Sequence, residues 1–174
     1  ATQLATEIRA ALAGRHFEVH YQPVIRLSDG TVGHHEALVR MRSSSGGLVA
    51  PGDFLPTAEH FGLIGQVDRL VIESVLGDLA ESSRRRIFVN ISGTTMADGD
   101  LLGYIEACLL KQPSIGPRLG FEITETAVVR DLSVAGSWMS RLTAYGCAFS
   151  LDDFGTGFSS LTYIRSLPVS QIKL

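Results

Sequence analysis

Hydrophobic and polar positions alternate every second residue in two early stretches of the chain. Residues 17–24 (FEVHYQPV) and 33–41 (GHHEALVRM) both show this alternation, which is typical of strands with one buried face. The turn at residues 28–30 (SDG) leaves too few residues for a crossover helix, so we expect the two strands to pair antiparallel. Before them, residues 1–15 have apolar positions at helical spacing and predict an amphipathic helix that leads into the sheet.

Beyond these strands, apolar segments of helix length alternate with shorter apolar runs. The helical segments are 54–60, 65–80, 101–110, 132–145 and 160–166, and the strand-like runs are 86–91, 119–124, 147–152 and 171–174. This alternation favours an α/β fold with a parallel sheet covered by helices. Polar residues at strand ends are typical of a TIM (β/α)8 barrel, which has eight strands in about 250 residues. With six strands in 174 residues, the sequence predicts one domain over residues 1–174 that lacks the last two strands of a barrel.

Composition narrows the class of protein further. An apolar content of 45% with 19% charged residues is typical of a globular domain. The net charge of −3 and the lack of a long basic tract argue against a surface for duplex nucleic acid. The two cysteines, Cys108 and Cys147, fit buried thiols in a reducing compartment. The sequence has no recognisable signal peptide or membrane segment, so we expect a cytoplasmic protein or the cytoplasmic domain of a larger, membrane-attached one.

Polar side chains interrupt the apolar strands near their carboxyl ends. They are Glu36, Asn90, Glu122 and the adjacent pair Asp152 and Asp153. In a barrel all of them would converge on one mouth. Oxygen donors without histidine or cysteine suit Mg²⁺ or Mn²⁺, with Ca²⁺ as an alternative. Five such donors are compatible with two ions that share a carboxylate, an arrangement that hydrolyses phosphodiesters.

Some of the candidate residues also have a simpler explanation that does not involve a metal. An adjacent pair of aspartates is by itself more often a solvated turn, but the oxygen donors on three other strands favour the metal. Lys173, on the sixth predicted strand, would bring a cation to the same mouth to hold a water or a phosphate oxygen; taken alone it is an ordinary strand-end lysine. The five histidines lack convincing ligand spacing, and the glycine-rich residues 155–160 (GTGFSS) lack the Walker lysine pattern.

Several motifs occur in a fixed order from residue 17 to residue 174. They are YQPV, GHHEALVR, APGDFLPTAEHFGLI, FVNIS, FEITE, LDDFGTGFSSL and the final IKL. Together they closely resemble the EAL-domain phosphodiesterases, which hydrolyse the bacterial second messenger cyclic di-GMP. The resemblance implies a modified TIM barrel with an antiparallel first strand, in agreement with the hairpin expected from the short turn. The implied reaction opens one phosphodiester to give linear pGpG.

The resemblance also implies a role for individual residues. It implies metal ligation by Glu36, Asn90, Glu122, Asp152 and Asp153, with two Mg²⁺ or Mn²⁺ ions as cofactors. It makes Lys173 a catalytic residue together with Glu36 and Asp152. Substrate contacts are implied for Gln22, Leu38 and Arg40, and Glu125 would hold the loop after the fifth strand. A homodimer through residues 153–160 and the following helix is implied, as is an attached sensor or GGDEF domain.

Two other functions remain open beside the enzyme. One is a catalytically silent receptor that binds cyclic di-GMP, and the other is a regulatory or dimerisation module that binds no nucleotide. Silent members lose motif residues, whereas the motif residues up to residue 174 are all present here. A cluster of five acidic or amide groups without a cation would be an electrostatic cost. We therefore expect a cyclic di-GMP phosphodiesterase, and leave open whether the 174-residue chain turns over substrate by itself.

Overall fold

An antiparallel hairpin opens the fold, after one helix. The computed structural model describes residues 2–82, 85–155 and 167–173. Helix α1 (Thr2–Gly14) precedes strands β1 (Phe17–Ile25) and β2 (Val32–Arg42), which pair antiparallel as predicted. A short strand that the sequence analysis missed, β3 (Leu48–Val49), adds to the end of β2.

Helices and strands then alternate, as the hydrophobic pattern predicts. The helices are α2 (Pro51–His60), α3 (Ile64–Glu81), α4 (Gly93–Met96), α5 (Gly99–Lys111), α6 (Glu125–Arg130) and α7 (Leu132–Thr143), with a 3-10 turn at Pro113–Arg118. The strands are β4 (Ile87–Asn90), β5 (Leu119–Thr124), β6 (Ala148–Asp152) and β7 (Gln171–Ile172). Helices α4 and α6 were not predicted because four and six residues are too few to show a helical period. The predicted helix at 160–166 lies outside the described residues.

The strands form one sheet in the order β1-β2-β4-β5-β6-β7. From β2 to β7 each strand runs parallel to its neighbour, so the carboxyl ends of five strands lie along the same edge. This consecutive parallel order is the wall of a TIM-type barrel. Within the described residues the wall is not closed, because β1 and β7 each pair on one side.

The largest part of the core lies between the outer face of the sheet and the helices. Phe121, Phe149 and Trp138 are almost fully buried there. The rings of Phe121 and Trp138 meet edge to face with their centroids 4.8 Å apart, a favourable aromatic geometry. Trp138 is therefore a core residue.

The inner face of the sheet carries polar side chains towards the carboxyl ends of the strands and a tightly packed aromatic ring below them. Phe88 is the register partner of Glu36 and shares its face. A methyl group at Gly120, on the neighbouring strand, would lie only 2.5 Å from the Phe88 ring. Glycine at position 120 thus allows the ring to pack across β5, below the polar residues at the strand ends. In the part of the chain that the structure describes, no helix is long and apolar enough to cross a membrane.

Candidate active site

Three predicted site residues become neighbours through the register of the parallel strands. Asn90 pairs with Glu122 across β4 and β5, while Glu36 of β2 lies beside the same pair. The Asn90 side-chain amide donates a hydrogen bond of 2.8 Å to Glu36 Oε1. The fold therefore brings these three side chains together near the carboxyl ends of β4 and β5. The expectation that Glu36 lies near the carboxyl end of its own strand is wrong, because β2 continues well beyond its pairing with β4 and Glu36 lies in the middle of it.

Lys173 reaches the same place from the end of β7. Its backbone N–H donates to the carbonyl of Leu151 at 2.8 Å, which continues the pairing with β6. Its ammonium group lies 2.5 Å from Glu122 Oε2 and 3.4 Å from Glu36 Oε2. We call Glu36, Asn90, Glu122 and Lys173 the lysine–carboxylate cluster.

The electrostatics of the cluster follow from burial. Glu122 is 1% exposed, and burial raises its pKa; the hydrogen bond from Lys173 opposes this shift, while the charges of Glu36 and Asp152 add to it. Burial alone would lower the pKa of Lys173, but the bond to Glu122 and the surrounding carboxylates raise it overall. A positive charge is thus strongly favoured at this position.

The donor set fits a hard divalent cation. Glu122 Oε1 is buried and has no hydrogen-bond partner among the described residues. Carboxylate and amide oxygens are the ligand types that Mg²⁺ and Mn²⁺ prefer. No group of three or more His, Cys, Asp or Glu side chains within the described ranges is close enough to hold a metal ion. In this conformation the Lys173 ammonium forms ion pairs with both Glu36 and Glu122.

Asp152 and Asp153 stand at the end of β6. The Asp152 carboxylate accepts a hydrogen bond of 2.9 Å from the backbone N–H of Asp153. Asp153 has a φ of 54°, a left-handed conformation that aspartate tolerates better than most residues. The chain turns sharply here, and the Asp152 charge acts on the cluster by raising the pKa of both Glu122 and Lys173.

Glu125 links helix α6 to the turn after β6. Its side chain is buried, and Oε2 accepts a hydrogen bond of 2.9 Å from the backbone N–H of Gly155. This contact is what a residue that holds the loop would make. The rest of that loop, and with it most of the expected dimer segment 153–160, falls outside the described residues.

The three residues expected to contact substrate lie on the same face of the hairpin as Glu36. Gln22 is the register partner of Glu36 on β1, and Leu38 and Arg40 follow Glu36 at two-residue spacing. Arg40 is half-buried and donates a hydrogen bond of 2.9 Å to the carbonyl of Val39. The structure therefore lines these residues up along β1 and β2, next to the cluster.

A cleft of about 480 Å³ opens beside the cluster, between the sheet edge and the surrounding helices. One wall is apolar, with Leu38 of β2 and Leu55 of α2. The other wall carries hydroxyl groups and one arginine, and its members are Ser92, Thr94, Thr124, Thr126 and Arg130. Asn90, Glu122 and Asp68 also face the cleft.

The sequence analysis missed the second wall and Asp68. The hydroxyl residues lie in short turns and helices without a detectable period, where hydroxyl groups more often cap helices than bind ligands. Asp68 lies in the predicted helix, but nothing in the helical pattern indicates that its carboxylate is buried. A useful signal for the hydroxyl groups would have been the FVNIS and FEITE motifs, since each places a hydroxyl group at or just beyond the end of a strand.

The family model for the EAL domain matches residues 5–174 of this chain. A model that covers almost the whole chain defines the class: this chain belongs to the EAL domain family.

Individual relatives support the same assignment. The chain is 36% identical over 177 residues to the cyclic di-GMP phosphodiesterase NbdA of Pseudomonas aeruginosa, and the match covers 99% of this chain and 23% of NbdA. This chain thus spans about a quarter of that relative's length.

Solved structures share the fold. The PaMucR phosphodiesterase in complex with c-di-GMP has a TM-score of 0.86 and 35% sequence identity, over 99% of this chain and 72% of that one. The EAL domain of FimX from Pseudomonas aeruginosa, bound to c-di-GMP, has a TM-score of 0.86 and 28% identity, over 98% of this chain and 70% of that one.

Proposed function

We propose that this chain is a metal-dependent phosphodiesterase that hydrolyses cyclic di-GMP to linear pGpG. The observation that carries the proposal is the lysine–carboxylate cluster, which stands near the carboxyl ends of parallel strands and reaches the cleft through Asn90 and Glu122. The names of the relatives support the substrate, because NbdA is a cyclic di-GMP phosphodiesterase and PaMucR is a phosphodiesterase in complex with c-di-GMP.

Glu36, Asn90, Glu122 and Asp152 would be the ligands of the first ion. Asp153 would bridge to the second ion or bind it. Mg²⁺ or Mn²⁺ at such a site neutralises phosphate charge and favours deprotonation of water. The buried, unpartnered oxygen of Glu122 supports this assignment among the described residues, because a buried carboxylate oxygen without a partner is costly.

The chain's own groups would perform the remaining tasks. The raised pKa of Lys173 keeps its ammonium protonated, so it can orient the attacking water or stabilise a phosphate oxygen. Arg40 would contact a phosphate of the substrate, while Gln22 and Leu38 would contact its remaining groups. Glu125 would keep the loop after β6 in place through Gly155.

The wider setting follows from the family. We infer a cytoplasmic site of action, either for the whole protein or for one domain of a membrane-attached protein. We also infer a homodimer, and an attached sensor or GGDEF domain that regulates the activity.

A receptor function is the second candidate, and a specific contact favours it. The Lys173 ammonium forms ion pairs with both Glu36 and Glu122, the carboxylates that would otherwise bind a cation. A chain that stayed in this arrangement would bind cyclic di-GMP in the cleft without hydrolysing it. FimX, which shares the fold, has been crystallised with c-di-GMP bound.

The test is turnover of cyclic di-GMP by the purified protein with Mn²⁺ or Mg²⁺, with pGpG detected by chromatography. We expect product from the wild type and none from Glu36→Ala, with circular dichroism unchanged. Glu106→Ala is the matched control, because that glutamate pairs with Arg141 on the helical surface. Retained activity in Glu36→Ala would contradict the metal assignment, and binding without turnover in the wild type would favour the receptor.

A further inference from the structure

Asp68 is a buried carboxylate that none of the predicted roles uses. It lies on α3 at 7% exposure and faces the cleft. Its Oδ2 accepts a hydrogen bond of 2.9 Å from the backbone N–H of Ser92 and one of 2.5 Å from the Thr95 hydroxyl. Ser92 belongs to the turn that follows β4, and Thr95 to the short helix α4 directly after it.

That turn begins two residues after Asn90. Ser92 caps α4 by accepting a hydrogen bond of 3.2 Å from the backbone N–H of Thr95. On the other side, the backbone N–H of Ile91 donates to the carbonyl of Glu122 at 3.0 Å. The turn is thus fixed by β5 on one side and by Asp68 on the other.

A four-residue helix such as α4 does not hold its own position, because so few residues cannot offset the cost of helix nucleation. Burial of the Asp68 carboxylate would also be unfavourable without its two hydrogen-bond donors. Burial raises the pKa of Asp68, and the hydrogen bonds from Thr95 and Ser92 oppose that shift. Asp68 and the turn therefore stabilise one another.

We propose that Asp68 is a positioning residue, which fixes the β4–α4 turn so that the Asn90 side chain points at Glu36 and at the cation site. The expected effect on catalysis rests on the proposed function, but the orientation of the Asn90 side chain can be measured without turnover. The hydrogen bond from Asn90 to Glu36 is the feature that should depend on Asp68.

Asn90 is the only asparagine in the sequence, which makes the test direct. Protein labelled with ¹⁵N in asparagine side chains gives a single pair of amide protons by NMR. In the wild type we expect the shifts of these two protons to differ by more than those of an exposed asparagine, because one proton is bonded to Glu36. In Asp68→Ala we expect the pair to move towards the shifts of exposed asparagine and to exchange with water faster.

Asp78→Ala is the matched control, since Asp78 also lies on α3 and accepts a hydrogen bond from a hydroxyl group, that of Tyr21. That contact faces β1 instead of the turn, so the Asn90 signal should remain unchanged. If Asp68→Ala does not fold, Thr95→Val removes one of the two donors and should move the signal in the same direction.

Kinetics supply the second readout. We expect kcat to fall about 10–100-fold in Asp68→Ala, with a higher Mn²⁺ concentration for half-maximal activity. Asp68→Asn keeps an acceptor oxygen and should recover most of the activity. An unchanged Asn90 signal in Asp68→Ala or Thr95→Val would overturn the inference. A wild type that gives no pGpG but shows the expected shift would overturn the proposed function and leave the positioning role intact.

Discussion

Glu122 and Lys173 form the most buried charged pair in the described part of the site. The Glu122 side chain has no exposed surface, and the Lys173 side chain is 31% exposed. Removing one partner of such a pair leaves the other without compensation, which is worse than removing both. The contribution of the Lys173–Glu122 pair can therefore be measured as a change in the free energy of unfolding as well as a change in activity.

We expect Lys173→Met to lower the free energy of unfolding by about 1–3 kcal/mol at about pH 8. The pKa of Glu122 is already raised in the folded state, and loss of the ammonium raises it further. Folding then takes up a proton at Glu122, so the free energy of unfolding falls as the pH rises through that folded-state pKa. The loss should therefore be smaller at about pH 5 than at about pH 8.

Denaturant unfolding at both pH values measures this difference. Lys111→Met is the matched control, because Lys111 is the only other lysine and lies exposed at the end of α5. A penalty in Lys173→Met that did not change with pH would show that the contact with Glu122 is not the cause.

At the scale of elements, side-chain caps hold the starts of three helices that follow β4 and β5. Ser92 caps α4, Thr124 caps α6 and Asp98 caps α5, each through a side-chain oxygen that accepts a backbone N–H. These caps set the directions in which the helices leave the sheet, and so shape the hydroxyl wall of the cleft.

We expect Asp98→Ala to lower the free energy of unfolding by about 1 kcal/mol. Asp98 Oδ1 accepts a hydrogen bond of 2.9 Å from the backbone N–H of Leu101, and this bond is the main cause of its lowered pKa. The stabilisation is present above the unfolded-state pKa and is lost as the pH falls through the lower folded-state value. Urea unfolding at neutral and acidic pH measures both effects.

Asp100→Ala removes a carboxylate from the same first turn without removing the cap. It should change stability by only a few tenths of a kcal/mol, through the helix dipole. Equal losses in the two variants would mean that negative charge near the helix start matters more than the hydrogen bond to Leu101.

At the scale of the whole molecule, the parallel sheet gives the site its position. Five parallel strands end at one edge, so residues from distant parts of the sequence meet there. The cluster joins Glu36 to Lys173, which are 137 residues apart. Ligand binding at this edge would stabilise the entire fold, because the unfolded chain has no such site.

From the proposed function we expect cyclic di-GMP to raise the Tm of Glu36→Ala, the variant in which we expect no turnover. At a ligand concentration of 100 times the Kd, the stabilisation should be about 2.7 kcal/mol. Thermal unfolding with increasing ligand measures it, with GMP as the comparison ligand. Arg40→Ala, in the same Glu36→Ala background, should reduce the shift. If neither the wild type nor the variant responded, binding of the nucleotide to the cleft would be contradicted.

The sequence by itself determined the elements and the family. Alternation over residues 17–24 and 33–41 predicted the hairpin, and the short turn predicted its antiparallel pairing. Both features depend on residues close together in the chain, which is why a local pattern captures them. The ordered motifs identified the EAL family. Asn90 and Glu122 lie late in β4 and β5 as predicted, and although Glu36 lies in the middle of β2, the prediction that the three side chains meet is confirmed.

The tertiary structure alone decided which atoms meet. Three features join segments that are far apart in the sequence. They are the ion pair of Lys173 with Glu122, the hydrogen bonds from the β4–α4 turn to Asp68, and the position of Arg130 in the cleft. Such contacts depend on strand register and on how helices pack against the sheet. The hydrophobic period of a single segment does not reveal either of them. Short elements such as α4 and α6 escape sequence analysis for a related reason, because their stability comes from caps and from neighbours in space.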